Sequence, residues 1–568
     1  MDYFKFQSDI DENKRAILVD KLIDISIELE LDHDTLHLGV ILMDKYLSKE
    51  KIEQCDLLAV GIVCLYLATK MEEVFPISLD ELIDITDNVY TESYLIKFEN
   101  IILEKINYSV YHDTIIQFLK MIYCQKKIDT KNYYFSIYLS YTLLTTIDYL
   151  FIDPEKLAYK ITDFVLIMEP DFDKNTAEIL INNDVLYRYI YSMWGKIDSL
   201  LLTSIKKKIE NYYCFIVPPF ENKININFTE NSTNILPRNV WSNVWNNVWN
   251  NVWNEKYTKL NAKQTNIYSR ETINSMVPVS ELGKGTFGVV NHVKLLNENI
   301  ALKIIFTNND TIAKGTYFHF IREINTLQTL DHPNIIKLHG LHYTPESKLM
   351  CIGMELMSCT VYQKVQNTDL SEKTKEKYIM QLLAGLDHMH ERNIMHRDLS
   401  TNNILISADD TLKIGDFGSS RYFHHAQYLK NYSMEICFFY FRAIELLLEK
   451  LPYTAMIDIW SCAFVIGYIL KGVYLIRGDN ESVMISKIFE ILGTPTNTYN
   501  PELCNCPKFK HTKFPIYSRT GFIYLDKKYP LQAKILYQML EYNPCKRISA
   551  QNALEQFTIC YSANNQQK

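Results

Sequence analysis

The sequence predicts a multidomain chain: an all-α N-terminal part in two helical repeats, followed by a bilobal α+β part whose small, mainly-β lobe precedes a larger helical one. Three observations carry this. Residues 15–215 run through helix-length, apolar-periodic segments with few glycines. Residues 221–273 break that pattern with an Asn- and Thr-rich stretch. From residue 276 the chain changes to strand-like runs parted by turn signals, and it returns to helices after about residue 370. A length of 568 residues accommodates two or more domains.

In order along the chain, Ile17, Leu18, Leu22 and Ile23 keep the spacing of a buried helix face. Residues 57–68, LLAVGIVCLYLA, are apolar nearly all round and predict a helix at the centre of a bundle. Further helices are expected at about 131–150, 155–168 and 184–213, so that a first repeat occupies 1–120 and a weaker second repeat 121–220. Residues 221–273 are expected as a linker. Within it, 239–254 repeat an Asn-Val-Trp unit, and Trp241, Trp245, Trp249 and Trp253 would drift only ~40° per repeat on a helix, giving one aromatic stripe. The stripe reads first as a slippage-expanded repeat in a disordered linker and, in the alternative, as a clamp for a groove on either domain. The α+β part is expected over 274–560, with a polar tail at 561–568.

Composition narrows the classes. The net charge of −8 hides an asymmetry: residues 1–220 hold 22 Lys/Arg against 36 Asp/Glu, while the remainder is net basic. Opposite signs on two tethered modules favour their docking. No dense basic stripe points to nucleic acid, and no apolar run reaches the roughly 18 residues that span a bilayer. The opening MDYFKFQSDIDENK is acidic and polar, unlike a secretory leader. Twelve irregularly spaced cysteines suggest reduced thiols inside a cell. The lone Cys504/Cys506 pair lacks a second pair to complete a metal site.

The α+β part carries the chemistry. Residues 283–290, GKGTFGVV, set Gly283, Gly285 and Gly288 in a GxGxxG frame, where missing Cβ atoms let backbone amides approach phosphate oxygens. Lys303 follows in ALKII and Glu323 in FIREI. His396-Arg397-Asp398 precedes Asn403, and Asp416 opens DFG at 416–418. These elements, in this order, resemble the catalytic core of protein kinases. The resemblance implies Asp398 as catalytic base and Lys303 held by Glu323 against the phosphates. It implies Asn403 and Asp416 as ligands of Mg²⁺. Gly283, Gly285, Gly288, Val290, Ala301, Lys303, Glu355 and Met357 would then form the ATP site.

The resemblance narrows to cyclin-dependent kinases. FIREINTLQTLDHPNIIKLHG at 320–340 is similar to the cyclin-binding helix and the segment after it. IDIWSCA at 457–463, LGTP at 492–495 and NPCKRISA at 543–550 also match, the last with Arg547 placed to pair with Glu445. Ser433 stands where the family has its activating threonine, and Arg322, Arg397 and Arg421 match the arginines that gather that phosphate. Thr286 remains at the inhibitory site of the glycine loop, with Phe287 beside it. Residues 14–119 resemble a cyclin box, in which Lys70 and Glu99 match the charged pair a cyclin offers its kinase. KRAIL at 14–18 is similar to the cyclin patch that recruits substrates, but Lys21 occupies its usual tryptophan position.

The departures are specific. Ser400 replaces the catalytic-loop lysine of serine/threonine kinases, Phe438 a threonine of the same network, Thr360 a ribose-contacting aspartate, and Ile444 the proline of the APE motif. Cys437 alters the pocket that would favour proline after the target residue. Two readings result. In one, the chain is a serine/threonine kinase using ATP and Mg²⁺ on protein substrates, in cell-cycle or transcription control, and activated in cis by its own cyclin part. A flexible linker of this length spans ~35–42 Å on average and holds the partner at near-millimolar concentration. In the other, it is a catalytically weak scaffold whose cyclin part captures another cyclin-dependent kinase. Neither requires nucleic acid or a membrane as partner. The Asn-, Ile-, Lys- and Tyr-heavy composition points to an AT-rich genome, such as that of a large DNA virus acting in the cytoplasm or nucleus of its host cell.

Overall fold

The computed structural model describes residues 4, 6–7, 9–86, 89–169, 173–195, 206, 266–285, 288–295, 298–306, 316–344, 349–423, 439–450, 452–498 and 500–566. The NVWN repeat, Thr286, Ser433, Cys437 and Phe438 lie outside them. The chain divides into two compact units.

The N-terminal unit is helical: α1 (Glu12–Glu28), α2 (His33–Leu47), α3 (Leu57–Glu72), α4 (Leu79–Asp84), α5 (Glu92–Lys105), α6 (Ile115–Lys126), α7 (Thr130–Leu144), α8 (Pro154–Ile167), α9 (Lys174–Asn183) and α10 (Val185–Gly195). Its helix starts follow side-chain chemistry. Asp11, Asp32, Thr91, Thr114, Asp129, Asp153 and Asp173 each accept a hydrogen bond from an amide in the first turn. α3 is the expected central helix, buried from Ala59 to Glu72. With the preceding turn, Gln54–Glu72 is long and apolar enough to cross a membrane, which corrects the expectation that no such run exists; 78% of it is buried inside the protein, as a bundle core requires. The second repeat contains one helix more than expected, α9, because Asp173 caps a segment whose apolar content is low.

One buried ion pair ties the repeats together. Arg15 donates to both carboxylate oxygens of Asp44 at 2.8 and 2.6 Å and to the carbonyl of Leu144 at 2.8 Å. The arginine of the KRAIL segment is thus 1% exposed and structural. Asp44→Ala would strand a buried guanidinium, and we expect it to cost about 3–5 kcal/mol of stability in chemical denaturation.

Lys45 is the opposite case. Its Nζ lies 2.9 Å from both the Ser109 carbonyl and His112 Nε2. Burial, with Lys49 nearby, pushes it down to about 7 from its ordinary 10.5. The folded chain therefore binds fewer protons than the unfolded one between those values, so stability should rise with pH across that window. Urea unfolding near pH 7 and near pH 9 should show this share, at most about 1.4 kcal/mol per pH unit, as the difference between the parent and Lys45→Met.

The second unit opens with a six-stranded sheet in the order β1-β5-β6-β4-β3-β2, where β1 is Asn266–Ile267, β2 Val277–Gly285, β3 Gly288–Leu295, β4 Glu298–Phe306, β5 Leu338–Thr344 and β6 Leu349–Glu355. β1 falls inside the stretch expected as linker. It pairs parallel to β5, and Tyr268 after it lies where a Cβ on Gly340 or Gly353 would stand, 2.5 and 2.7 Å from its ring and hydroxyl. Two glycines thus make the slot that fixes the linker's end to the sheet, a signal no apolar periodicity carries.

Helix α11 (Arg270–Ser275) precedes β2, and α12 (Thr316–Thr329) lies between β4 and β5. Below the sheet come β7 (Cys359–Thr360), α13 (Val361–Asn367), α14 (Glu372–Glu391), β8 (Ile394–Met395), β9 (Ile404–Ile406), β10 (Leu412–Ile414) and β11 (Arg421–Tyr422). They are followed by α15 (Ile444–Leu447), α16 (Met456–Lys471), α17 (Glu481–Leu492), α18 (Ile523–Lys528), α19 (Pro530–Met539) and α20 (Ala550–Gln566). Arg547 and Glu445 form the expected pair, bidentate at 2.9 and 3.0 Å and buried.

Candidate active site

β3 and β4 place Val290 directly opposite Lys303, and Ala301 pairs with Met354 on β6. Gly283 pairs with Val290 across the β2–β3 turn. Gly288 leaves no room for a side chain, since a Cβ there would lie 2.2 Å from the Ile304 carbonyl, whereas a Cβ on Gly283 would meet nothing within 4 Å.

Lys303 Nζ reaches Glu323 on α12 at 2.7 and 3.0 Å and Asp416 Oδ1 at 3.1 Å. Burial alone would lower the lysine, but the carboxylates of Asp416 and Glu323 more than offset it and hold the ammonium well above its usual range. Lys303 in turn holds Asp416 below the usual carboxylate range. Asp416 has a left-handed backbone, φ 59°. Asn403 Nδ2 donates to the Asp398 carbonyl at 2.7 Å and to its Oδ2 at 3.1 Å. The base, the metal-ligand candidates and the lysine–glutamate pair are therefore formed as side-chain contacts in one unit. Asn403 spends its amide nitrogen on Asp398, which leaves its oxygen, with the charged Asp416 carboxylate, as the donor set a hard cation prefers.

Arg397 also sits at positive φ, 71°. Asp458, from α16, holds this turn: its carboxylate accepts from the amides of His396 at 2.7 Å and Arg397 at 2.8 Å, and lies 3.1 Å from His390 Nε2. His396 Nε2 lies 2.9 Å from the Gly415 carbonyl, next to Asp416. Arg322, Arg397 and Arg421 are all buried, and Arg421 on β11 pairs with Met395, two residues before Arg397.

Glu355, expected at the ATP site, ends β6 and accepts from the Lys337 amide at 2.6 Å and from Lys413 at 2.8 and 2.9 Å. Its side chain thus ties the strand end to β10, which leads into Asp416. Met357 is half-buried two residues beyond. Thr360 has an explanation: it is the N-cap of α13, accepting from the Gln363 amide at 3.1 Å, a task aspartate and threonine share. Ser400 is buried, and its carbonyl accepts from the amides of Asn403 and Ile404. The bridging roles of Asp458 and Glu355 were missed from sequence, because both depend on partners more than 50 residues away. In the helical unit, Lys70 and Glu99 meet at 2.5 Å and are buried, with Lys70 also 4.0 Å from the Tyr66 ring centre. Burial lowers Lys70, while Glu99 works against that shift.

Comparison with known proteins agrees with this organisation. The protein kinase domain family matches residues 276–558, and the family of cyclin N-terminal domains matches residues 1–111. Three relatives from Acanthamoeba polyphaga mimivirus bear the name of serine/threonine-protein kinases. L673 is 34% identical over 96% of this chain and 97% of its own length. L670 is 31% identical over 100% and 97%, and L268 is 33% identical over 98% and 98%. Among solved structures, the crystal structure of the yeast RNA Pol II CTD kinase CTDK-1 complex contains a similar chain, 27% identical, covering 49% of this chain and 91% of its own, with a TM-score of 0.45.

Proposed function

The chain belongs to the serine/threonine protein kinases and carries a cyclin domain ahead of its kinase domain, and from that premise we propose that it phosphorylates Ser/Thr in protein substrates under the control of its own cyclin part. The observation that carries this is the closed Lys303–Glu323 pair, the feature a cyclin-dependent kinase gains on activation, in a chain that also holds a cyclin domain. The Lys70–Glu99 pair supports it from the other unit.

ATP with Mg²⁺, when bound, supplies the transferable phosphoryl group. The chain's own residues do the rest. The glycine-rich turn offers backbone amides to phosphate oxygens. Lys303, fixed by Glu323, orients them. Asp416 and Asn403 would hold the metal, and Asp398, steadied by Asn403, accepts the substrate hydroxyl proton. Phosphorylated Ser433 would draw Arg322, Arg397 and Arg421 together. Protein substrates in cell-cycle or transcription control, inside a host cell, follow from the cyclin-dependent character and the viral relatives, while Cys437 departs from the pocket that would select proline after the target residue.

A second reading rests on Ser400, which puts an uncharged side chain where a lysine would neutralise the transferring phosphoryl group. It makes the chain a scaffold that binds another kinase. The two separate on one test: transfer by purified protein that survives Asp398→Asn belongs to a co-purifying kinase, whereas transfer lost in that variant is the chain's own. If Ser400 limits the rate, Ser400→Lys combined with Phe438→Thr should raise kcat at least tenfold in steady-state assays.

A further inference from the structure

The kinase unit has a further concave site, lined by none of the residues discussed above. The end of α16, residues 475–477, the C-terminal half of α17 and residues 520–528 enclose a cavity of about 1080 Å³. Its construction is specific. The Thr520 and Gly521 amides donate to the Glu490 and Ile491 carbonyls at 3.1 and 3.0 Å, clamping this segment to the end of α17. Gly521 is at φ +74°, and a Cβ there would lie 2.6 Å from Asp526 Oδ2. Asp526 faces Tyr537, whose hydroxyl donates to it at 2.8 Å, and the carboxylate does not line the cavity.

The result is a pocket with a buried apolar floor, Leu475, Ile476, Phe522 and Leu525, and a cationic rim. Lys471, Arg477, Lys487, Lys527 and Lys528 stand against a single carboxylate, Glu490. Lys471, Arg477, Lys487 and Lys527 have no carboxylate partner among the described residues. Lys487 Nζ is turned onto the Arg477 carbonyl at 2.6 Å, which gathers two of the cations on one side. Ile523 completes the rim and is 77% exposed, an apolar side chain left in water beside the cavity mouth.

We propose that this cavity is a docking site for an acidic peptide segment bearing bulky apolar side chains, presented by a substrate or regulator of the kinase. The apolar floor takes the side chains, and the rim neutralises the flanking carboxylates. The volume lies at the upper end of the usual range for ligand sites, about 300–1,000 Å³, and accommodates several side chains of a peptide. The site rests on the kinase reading for its purpose but not for its binding chemistry, so it is tested by binding alone.

The probe is a fluorescein-labelled peptide of alternating Glu and Leu, titrated with the full-length chain in fluorescence anisotropy. The variants are Arg477→Glu, Lys527→Glu and Ile523→Asp, all exposed positions that leave the fold and the Asp398 chemistry untouched. Saturable binding that each variant weakens at least tenfold, and that added salt weakens further, supports the site. Absence of binding, or binding that the variants leave unchanged, overturns it. So does binding of phosphatidylserine vesicles without binding of the peptide, which would make the cavity a lipid site. Loss of phosphate transfer with peptide binding intact would strike at the kinase reading and leave this one standing.

Discussion

Asp416→Asn is expected to lower kcat by ~10³-fold or more while leaving the fold intact, equivalent to about 4 kcal/mol of transition-state stabilisation. Asn tolerates the left-handed backbone that Asp416 adopts at φ 59°, so the turn survives and the charge alone is removed. That charge has two duties: it faces Lys303 Nζ at 3.1 Å, and it is the charged member of the donor pair that Asp416 and Asn403 would offer a divalent cation. Because Lys303 holds the carboxylate below its usual range, the acid limb of the pH–rate profile should not report Asp416. Steady-state kinetics with thermal denaturation beside them check both halves; a folded variant with kcat within tenfold of the parent would show that Asp416 holds no metal.

Asp458→Asn should reduce kcat by ~10²-fold with little change in KM for ATP, although Asp458 touches neither nucleotide nor substrate. Its carboxylate accepts from two successive amides, His396 and Arg397, and this keeps Arg397 at φ 71°, a strained conformation for an arginine. An asparagine presents one acceptor and one donor, so one amide would meet an N–H in a buried setting. That costs about 1–3 kcal/mol and lets the loop shift Asp398. Misplacing a base by an ångström is enough for a loss of this size. A merely structural role would lower the melting temperature and leave kcat per folded molecule unchanged, so the kinetics decide.

Much of this architecture was legible because it rests on local pattern. The all-round apolar LLAVGIVCLYLA reads directly as a central helix, and Lys303, Glu323, Asp398, Asn403 and Asp416 sit in short motifs whose order is itself informative. What escaped depends on distance. Asp458 lies 62 residues from the amide it holds on His396, and Glu355 lies 58 from Lys413. The β1–Tyr268 anchor needed Gly340 and Gly353 to be seen side by side. Arg15 resembled part of a recruitment patch, yet three hydrogen bonds to Asp44 and Leu144 bury it. Thr360 looked like a loss until the structure showed it capping a helix.

The measurement closest to the central claim is phosphate transfer from ATP to a basic Ser-Pro peptide by the full-length chain, by its Asp398→Asn variant, and by a chain beginning at Thr265, which keeps β1 and Tyr268. The account predicts transfer by the full-length chain at a specific rate independent of its own concentration, loss in Asp398→Asn, and a fall of at least tenfold in the shortened chain despite a native melting transition. Equal transfer by the shortened chain would contradict activation by the fused cyclin domain.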